Sequence, residues 1–349
     1  MRSIEHGYYM DTPLSHRLLM TMRSLGEFRG RQHLYSDQFP EVLDTLRRVA
    51  IVQSTESSNR IEGITVAPDR IDALVLKKIK PRDRSEQEVA GYRDVLSSIH
   101  ANHENIRLST GQILEWHRAL YRFTEERGGE WKAKDNAILE VRPDGRQVVR
   151  FQPVSALATP EFMDKLLSLF DRAMDKAETD PLLLIATFVF DFECIHPFRD
   201  GNGRIGRLLT LLLLYQAGYE VGRYISLERI VEESKETYYE ALYKSSQGWH
   251  EAKHDLRPWW DYFLGTLIAA YKEFEQRVGT ITSARGAKRE MVRSAIERMP
   301  GLFTIGDLKR VCPGVSYPTL QRALTDLKKE GKVKCLGRGP DARWQRIEG

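Results

Sequence analysis

Two apolar runs, Pro181-Leu182-Leu183-Leu184-Ile185-Ala186-Thr187-Phe188-Val189-Phe190 and Leu208-Leu209-Thr210-Leu211-Leu212-Leu213-Leu214-Tyr215, stand on either side of one short polar stretch. Segments apolar on every face belong to elements buried all round, so the chain must fold about this pair. Both runs fall short of the roughly 18 to 20 residues of a membrane span. Between them, Ile195-His196-Pro197-Phe198-Arg199-Asp200-Gly201-Asn202-Gly203-Arg204-Ile205-Gly206-Arg207 gathers a base, a carboxylate, arginines and glycines. Reactive residues at the junction of two buried elements mark a site carried on a rigid scaffold.

The flanking sequence is mostly helical in period. Helices are predicted over 15–33 and from Pro40 onward, the second with Val42, Leu43, Leu46, Val49 and Val52 on its apolar face and Gly63 suited to its C-cap. By composition, the polar side chains from Ser54 to Arg60 read as a solvated, frayed helix end. Further helices are expected from Pro68, over 85–100 with Ser85 and Glu88 in capping-box spacing, and over 109–123, 159–176, 181–194, 202–216, 226–232, 236–246 and 258–276. Lys77 to Arg82 is a basic linker. Only 137–151 changes period: two β-rich runs, Ile138 to Val141 and Gln147 to Phe151, flank Arg142-Pro143-Asp144-Gly145-Arg146, a strong hairpin signal. A lone hairpin must lie on something, either as passive packing or as a lid with a free edge.

A length of 349 residues suits two or three domains, and 41% apolar with 29% charged residues suits a soluble globular protein. Three cysteines without metal-ligand spacing and no apolar h-region after Met1 point to a reducing, cytoplasmic setting without a membrane partner. The formal charge of +4 is uneven: residues 285–349 hold fifteen Lys/Arg against seven Asp/Glu, so the rest is net acidic. That tail shows helical patterns over 288–298, 304–311 and from a Ser316 cap to Lys329. A Val333 to Leu336 run, a Gly337/Gly339 turn and Arg343 to Arg346 follow. Three helices and a basic two-stranded ribbon resemble a winged helix-turn-helix domain, which either sets Arg322, Lys328 and Lys329 near DNA phosphates or docks a protein or second copy.

Gly201-Asn202-Gly203-Arg204-Ile205-Gly206 satisfies G-x-G-x-x-G, but the upstream run is capped like a helix and no strand-helix-strand alternation surrounds it, so a dinucleotide loop is rejected. Phosphate chemistry accounts for the stretch better. Glycines before a helix N-terminus let backbone N–H groups converge on an anion. Arg204 and Arg207 share a helix face and can grip neighbouring phosphates. Asp200 is a hard oxygen ligand for Mg²⁺, and His196 can take a proton at neutral pH. Together these parts describe in-line transfer of a nucleotidyl or phosphoryl group.

His196 to Arg207 resembles, without a departure, the signature H-x-F-x-[D/E]-G-N-G-R-x-x-R of Fic-domain proteins. The resemblance implies a mainly α fold, with the hairpin as its flap, that moves AMP from ATP to a protein Ser, Thr or Tyr hydroxyl. The resemblance covers roughly residues 85–265; with the tail's own pattern the chain divides into an N-terminal helical region over 1–84 that carries the inhibitory motif, a Fic core over 85–278 and a winged helix-turn-helix domain over 285–349. In that frame His196 is the base, Asp200 the Mg²⁺ ligand and Phe198 a core anchor. Gly201, Asn202 and Gly203 cradle phosphates, Arg204 contacts the phosphates of ATP and Arg207 holds the γ-phosphate. Related Doc proteins carry Lys where Gly203 stands. Tyr238 and Tyr239 are candidates for the adenine wall or plain core residues. Ser58-Asn59-Arg60-Ile61-Glu62-Gly63 resembles the family's inhibitory motif, which implies that Glu62 pairs with Arg207 and displaces the γ-phosphate. Two alternatives stay open: removal of AMP from a modified protein, and a DNA-binding regulator whose core senses nucleotide. The implied partners are ATP and a protein substrate; modification of the protein itself, DNA and a homo-oligomer stay open.

Overall fold

The computed structural model describes residues 2–5, 12–38, 40–141, 146–279, 291–293, 295–297, 299, 301–312, 315–337, 339 and 342–347. The chain runs through α1 (Arg2–Glu5), α2 (His16–Gln38), α3 (Pro40–Ile61), α4 (Pro68–Leu76), α5 (Arg84–Asn102) and α6 (Thr110–Leu120) to the strands β1 (Ile138–Val141) and β2 (Gln147–Phe151). After these come α7 (Thr159–Lys176), α8 (Pro181–Ile195), α9 (Asn202–Gln216), α10 (Leu227–Glu233), α11 (Lys235–Ser246) and α12 (Arg257–Gly279). The tail holds β3 (Leu302–Thr304), α13 (Ile305–Val311), α14 (Tyr317–Lys329), β4 (Val333–Cys335) and β5 (Arg343–Arg346).

The two apolar runs became α8 and α9, packed against each other, with α7 and α12 covering α8. Asp180 starts α8 by accepting a hydrogen bond from the Leu182 N–H at 2.8 Å, and Pro181 opens its first turn. Every residue from Leu182 to Ile195 is buried, and each enclosed Leu or Phe contributes about 1.5–3 kcal/mol. Polar atoms on this helix must then find partners. Trp259 and Trp260 of α12 donate to the Ala186 carbonyl at 2.7 Å and the Thr187 hydroxyl at 3.0 Å.

The polar end of α3 is not frayed. Gln53 through Asn59 are all buried, because α3 lies against α5 and α10. The Ser54 hydroxyl donates to Ser226 at 3.0 Å, Asn59 donates to the Thr55 carbonyl at 2.7 Å, and Arg60 pairs with Glu56 at 3.0 Å and Glu232 at 2.8 Å. Gly63, at φ +82°, takes the left-handed turn that ends the helix.

Several boundaries differ from the sequence reading. Helix α5 is capped by Asp83, which accepts from the Glu86 N–H at 2.9 Å, and not by a Ser85/Glu88 box, since Glu88 is drawn into the core. The Ser316 hydroxyl meets Thr319 Oγ1 at 2.9 Å instead of a backbone N–H. The ribbon of the tail is three-stranded, in the antiparallel order β3-β5-β4. Leu302-Phe303-Thr304 is too short to show a period of its own. The helix expected over 288–298 and the hairpin turn over 142–145 lie wholly or partly outside the described residues.

Strands β1 and β2 pair antiparallel, Leu139 opposite Val149, with both side chains half exposed. The hairpin lies over α11, where Arg150 donates to the Tyr239 carbonyl at 3.2 Å. The described tail elements follow in the order β3, α13, α14, β4 and β5, with Arg322, Lys328 and Lys329 exposed on α14. Helix α13 meets α4, where Lys309 bonds Asp72, and Gln53 of α3 donates to the Val311 carbonyl at 3.2 Å. Among the described residues, no helix is long and apolar enough to cross a membrane.

Candidate active site

Helix α8 ends by reversing hand at His196, φ +50°, whose N–H still donates to the Phe192 carbonyl at 2.9 Å. The chain reverses again at Gly201, φ +82°, to begin α9. Asn202 ties this loop closed: its Oδ1 accepts from the Phe198 N–H and its Nδ2 donates to the Phe198 carbonyl, both at 2.8 Å. Outside the loop, Lys132 donates to the Ile195 carbonyl at 3.0 Å and Asn136 to that of Phe198 at 3.0 Å. Phe198 is fully buried and stacks on His117, ring centres 3.8 Å apart. Since His117 Nδ1 accepts from the Gly129 N–H at 2.9 Å, its proton sits on Nε2 and is donated to the Asp200 carbonyl at 3.0 Å.

The loop opens onto a cavity of about 400 Å³. Glu62, Glu193, His196, Gly203 and Arg207 line it, together with Leu139 and Arg150 of the hairpin and Tyr238 and Tyr239 of α11. Burial, helped by the ammonium of Lys132, lowers the His196 pKa to about 4, so the imidazole is neutral at pH 7 and has a nitrogen lone pair available to accept a proton. Arg207 is buried beside it. Its Nη2 donates to Glu62 Oε1 at 2.7 Å and to the Ser58 carbonyl at 2.8 Å, and its Nε to the Ser58 hydroxyl at 2.9 Å. Burial alone would weaken the charge on Arg207, but Glu62, with Tyr238 and Tyr92, raises its pKa above the usual arginine value. The pairing of Glu62 with Arg207 that the resemblance implied is thus present.

Arg204 is placed differently from the sequence reading. It is fully enclosed, donating to Glu88 at 2.7 Å and to the Tyr121 hydroxyl at 2.9 Å, because α9 presents this position to the α5 side of the core. It does not line the cavity and acts as an internal brace. Tyr121 passes the constraint on, donating its own proton to Asp200 Oδ2 at 3.0 Å, while Asp200 Oδ1 accepts from the Gly201 N–H at 2.7 Å. The Asp200 side chain is still more than half exposed. Among the described residues, His, Cys, Asp and Glu form no cluster of three that could hold a metal. A cation held by Asp200 would therefore complete its shell with ligand oxygens and water, which suits Mg²⁺ beside a triphosphate. Gly203 has a steric reason to be glycine: a Cβ there would stand 2.5 Å from Glu62 Oε1.

The sequence reading missed Glu193, Lys132, Asn136 and Arg150. Glu193 had one signal, a charge in an apolar run one helical turn before His196; the others act through main-chain contacts that no motif carries.

Residues 107–214 match the sequence model of the Fic/DOC family. Curated relatives include the protein adenylyltransferase fic-1 of Caenorhabditis elegans, 28% identical over 185 residues, which are 51% of this chain and 32% of the relative. The protein adenylyltransferase Fic of Nematostella vectensis is 24% identical over 220 residues, 60% of this chain and 45% of that one. The chain thus spans about a third to under half of the length of these relatives. A Fic family protein from Desulfovibrio desulfuricans G20 has a similar structure, with a TM-score of 0.61 at 22% identity over 97% of this chain and 98% of that one. The C. elegans Fic-1 structure (aa134–508) gives 0.60 at 21% over 75% and 73%. At such identities the structural likeness speaks for the fold. The signature of residues 196–207 lies inside the matched segment and that fold surrounds it, so residues 107–214 carry the likeness to the Fic/DOC family.

Proposed function

We propose that the protein transfers AMP from ATP to a hydroxyl group of a protein substrate, and that Glu62 restrains the transfer. The observation that carries this reading is the state of Arg207, whose guanidinium faces the cavity beside His196 and is occupied by Glu62 and Ser58. A buried arginine with fork geometry is a phosphate clamp, and a carboxylate in its grip competes with the γ-phosphate.

The chemistry follows from the residues around it. Neutral His196 takes the proton of the attacking hydroxyl as a bond forms from that oxygen to the α-phosphorus. The bond from the α-phosphorus to pyrophosphate breaks in line. The start of α9 would cradle the phosphates with the backbone N–H groups of Asn202 and Gly203 and the positive end of the helix dipole, while Gly201, whose N–H is held by Asp200 Oδ1, supplies the turn. Asp200 would hold Mg²⁺, which when bound neutralises charge on the phosphate oxygens. The β1–β2 hairpin over the cavity suits a target segment that adds as a strand. Tyr238 and Tyr239, rings 5.2 Å apart, offer the adenine an aromatic wall.

The test is labelling by isotopic ATP with Mg²⁺. Glu62→Gly is expected to raise labelling of the protein or a partner, and His196→Ala on that background to abolish it. Silence of Glu62→Gly with every nucleoside triphosphate overturns the reading.

A further inference from the structure

One charged group in the cavity has no part in the chemistry above. Glu193 lies on the last turn of α8, three residues before His196, and is only 8% exposed. Its neighbour Asp191, fully buried, accepts hydrogen bonds from Ser3 at 2.6 Å and Trp249 at 2.7 Å. Glu193 is different: Oε1 has no hydrogen-bond partner among the described residues, and neither has Nδ1 of His196. The second oxygen, Oε2, stands 3.9 Å from that nitrogen. A buried carboxyl without partners costs stability that an apolar residue would not, and residues within one turn of Glu193 on α8 are apolar apart from Asp191.

The neighbouring helix leaves room for this carboxyl. A Cβ on Gly206 of α9 would stand 2.3 Å from Glu193 Oε1, so the absence of a side chain at 206 is what lets the group lie beneath the imidazole. Helical spacing sets the two together on one face.

We propose that Glu193 is a positioning residue for His196: its carboxylate accepts a hydrogen bond from Nδ1–H, fixes the tautomer with Nε2 free, and balances the imidazolium that forms when the substrate hydroxyl is deprotonated. This rests on the reading of His196 as the base. The arrangement is that of a base held by a third group, and a contact of 3.9 Å needs only a small side-chain shift to close into a hydrogen bond. Burial pushes the Glu193 carboxyl up to about 7, with Arg207 opposing and Glu62 adding to the rise. Tyr238 on α11 also faces this carboxyl, and Lys132 faces the ring. Removing Glu62 therefore favours the ionised form of Glu193, so the inhibitory residue acts on the base as well as on Arg207.

The main-chain carbonyl of Glu193 also draws on the imidazole, so the experiment must separate carbonyl from carboxyl. Glu193→Met keeps the carbonyl and removes the side-chain acceptor; Glu193→Gln keeps an acceptor and removes the charge. Nitrogen NMR of the full-length protein, with labelled imidazoles and His196→Asn for assignment, reads the tautomer directly. Expected is an Nδ1-protonated ring in the parent and a mixed or reversed population in Glu193→Met. Gly206→Ala, which pushes the carboxyl aside, is expected to act in the same direction. On the Glu62→Gly background, kcat falls about 10- to 100-fold in Glu193→Met, the range of an outer partner of a functional His. The apparent KM for ATP stays within about twofold. Glu193→Gln flattens the rise of rate with pH that accompanies ionisation of the carboxyl. An unchanged ring spectrum in folded Glu193→Met overturns the proposal, as does a loss confined to KM. If Glu62→Gly itself transfers nothing, the enzymatic reading fails, yet the ring spectrum still decides whether Glu193 sets the state of His196.

Discussion

Oε1 of Glu62 lies 2.7 Å from Nη2 of Arg207 and 2.5 Å from the point where a Cβ of Gly203 would stand. One carboxylate oxygen thus depends on two residues of the signature, an arginine that binds it and a glycine that leaves it space. Gly203 is helical and has ordinary dihedrals, so alanine fits its backbone and collides only with Glu62 and, at 3.1 Å, with Arg207. Gly203→Ala is expected to loosen Glu62 and raise ATP labelling part of the way to the level of Glu62→Gly, with residue 62 unchanged. Labelling at or below the parent level would contradict this.

Removing Glu62 leaves a buried guanidinium held by Ser58 alone. Breaking a buried pair from one side costs about 3–5 kcal/mol, and less here because the Glu62 side chain is 28% exposed. The Tm of Glu62→Gly is expected to fall without nucleotide and to rise more than that of the parent on adding ATP and Mg²⁺, since ligand then supplies the missing anion. Thermal unfolding with and without nucleotide checks both signs.

Arg204 and Arg207, three residues apart, should fail differently. Arg204→Met leaves the buried Glu88 with the exposed Arg84 as its remaining cation, so unfolding in urea is expected to show a loss of at most about 3–5 kcal/mol. Nucleotide affinity of the folded protein should stay near that of the parent. Arg207→Met is expected to weaken ATP binding on the Glu62→Gly background. A folded Arg204→Met protein that cannot bind nucleotide would show that Arg204 reaches the ligand.

Glu193 has a signature in stability as well as in rate. Its carboxyl rises from the usual 4.5 to about 7 on folding, so the native state holds the proton more tightly than the unfolded chain does. That contribution is full below about pH 4.5 and is lost as pH climbs through 7. Glu193→Gln is therefore expected to be nearly neutral for Tm at pH 4 and stabilising at pH 8, by at most about 3 kcal/mol at 1.36 kcal/mol per pKa unit. A variant that gains stability while losing turnover identifies a residue kept for function.

What could be read in advance depended on whether neighbours in space were neighbours in sequence. The helices on either side of His196 were legible because a continuous apolar run has one physical outcome, burial, and Asp180-Pro181 and Gly218 mark their ends. The hairpin was legible from its period. Burial of Ser54 to Asn59 was not, since those side chains are covered by α5 and α10, and composition alone makes them surface residues. Arg204 misled for a related reason: two arginines three apart look alike until α9 packs, and then one meets Glu88 and the other the cavity. Glu193 escaped notice because its meaning lies in Gly206, which sits across the loop on α9. Strand β3 is three residues long and takes its conformation from pairing with β5.

The left-handed backbone of His196 bears on how its role can be proved. At φ +50° an alanine carries a penalty of about 1–2 kcal/mol relative to the right-handed region, and the loop that places Asp200 and the start of α9 hangs from this residue. Replacing the ring with a methyl group therefore perturbs the backbone as well as the base. Asparagine tolerates this hand of turn and has no basic nitrogen, so His196→Asn is expected to remove the proposed base while the loop from His196 to α9 keeps its shape. A trapped complex with nucleotide or target is best sought there.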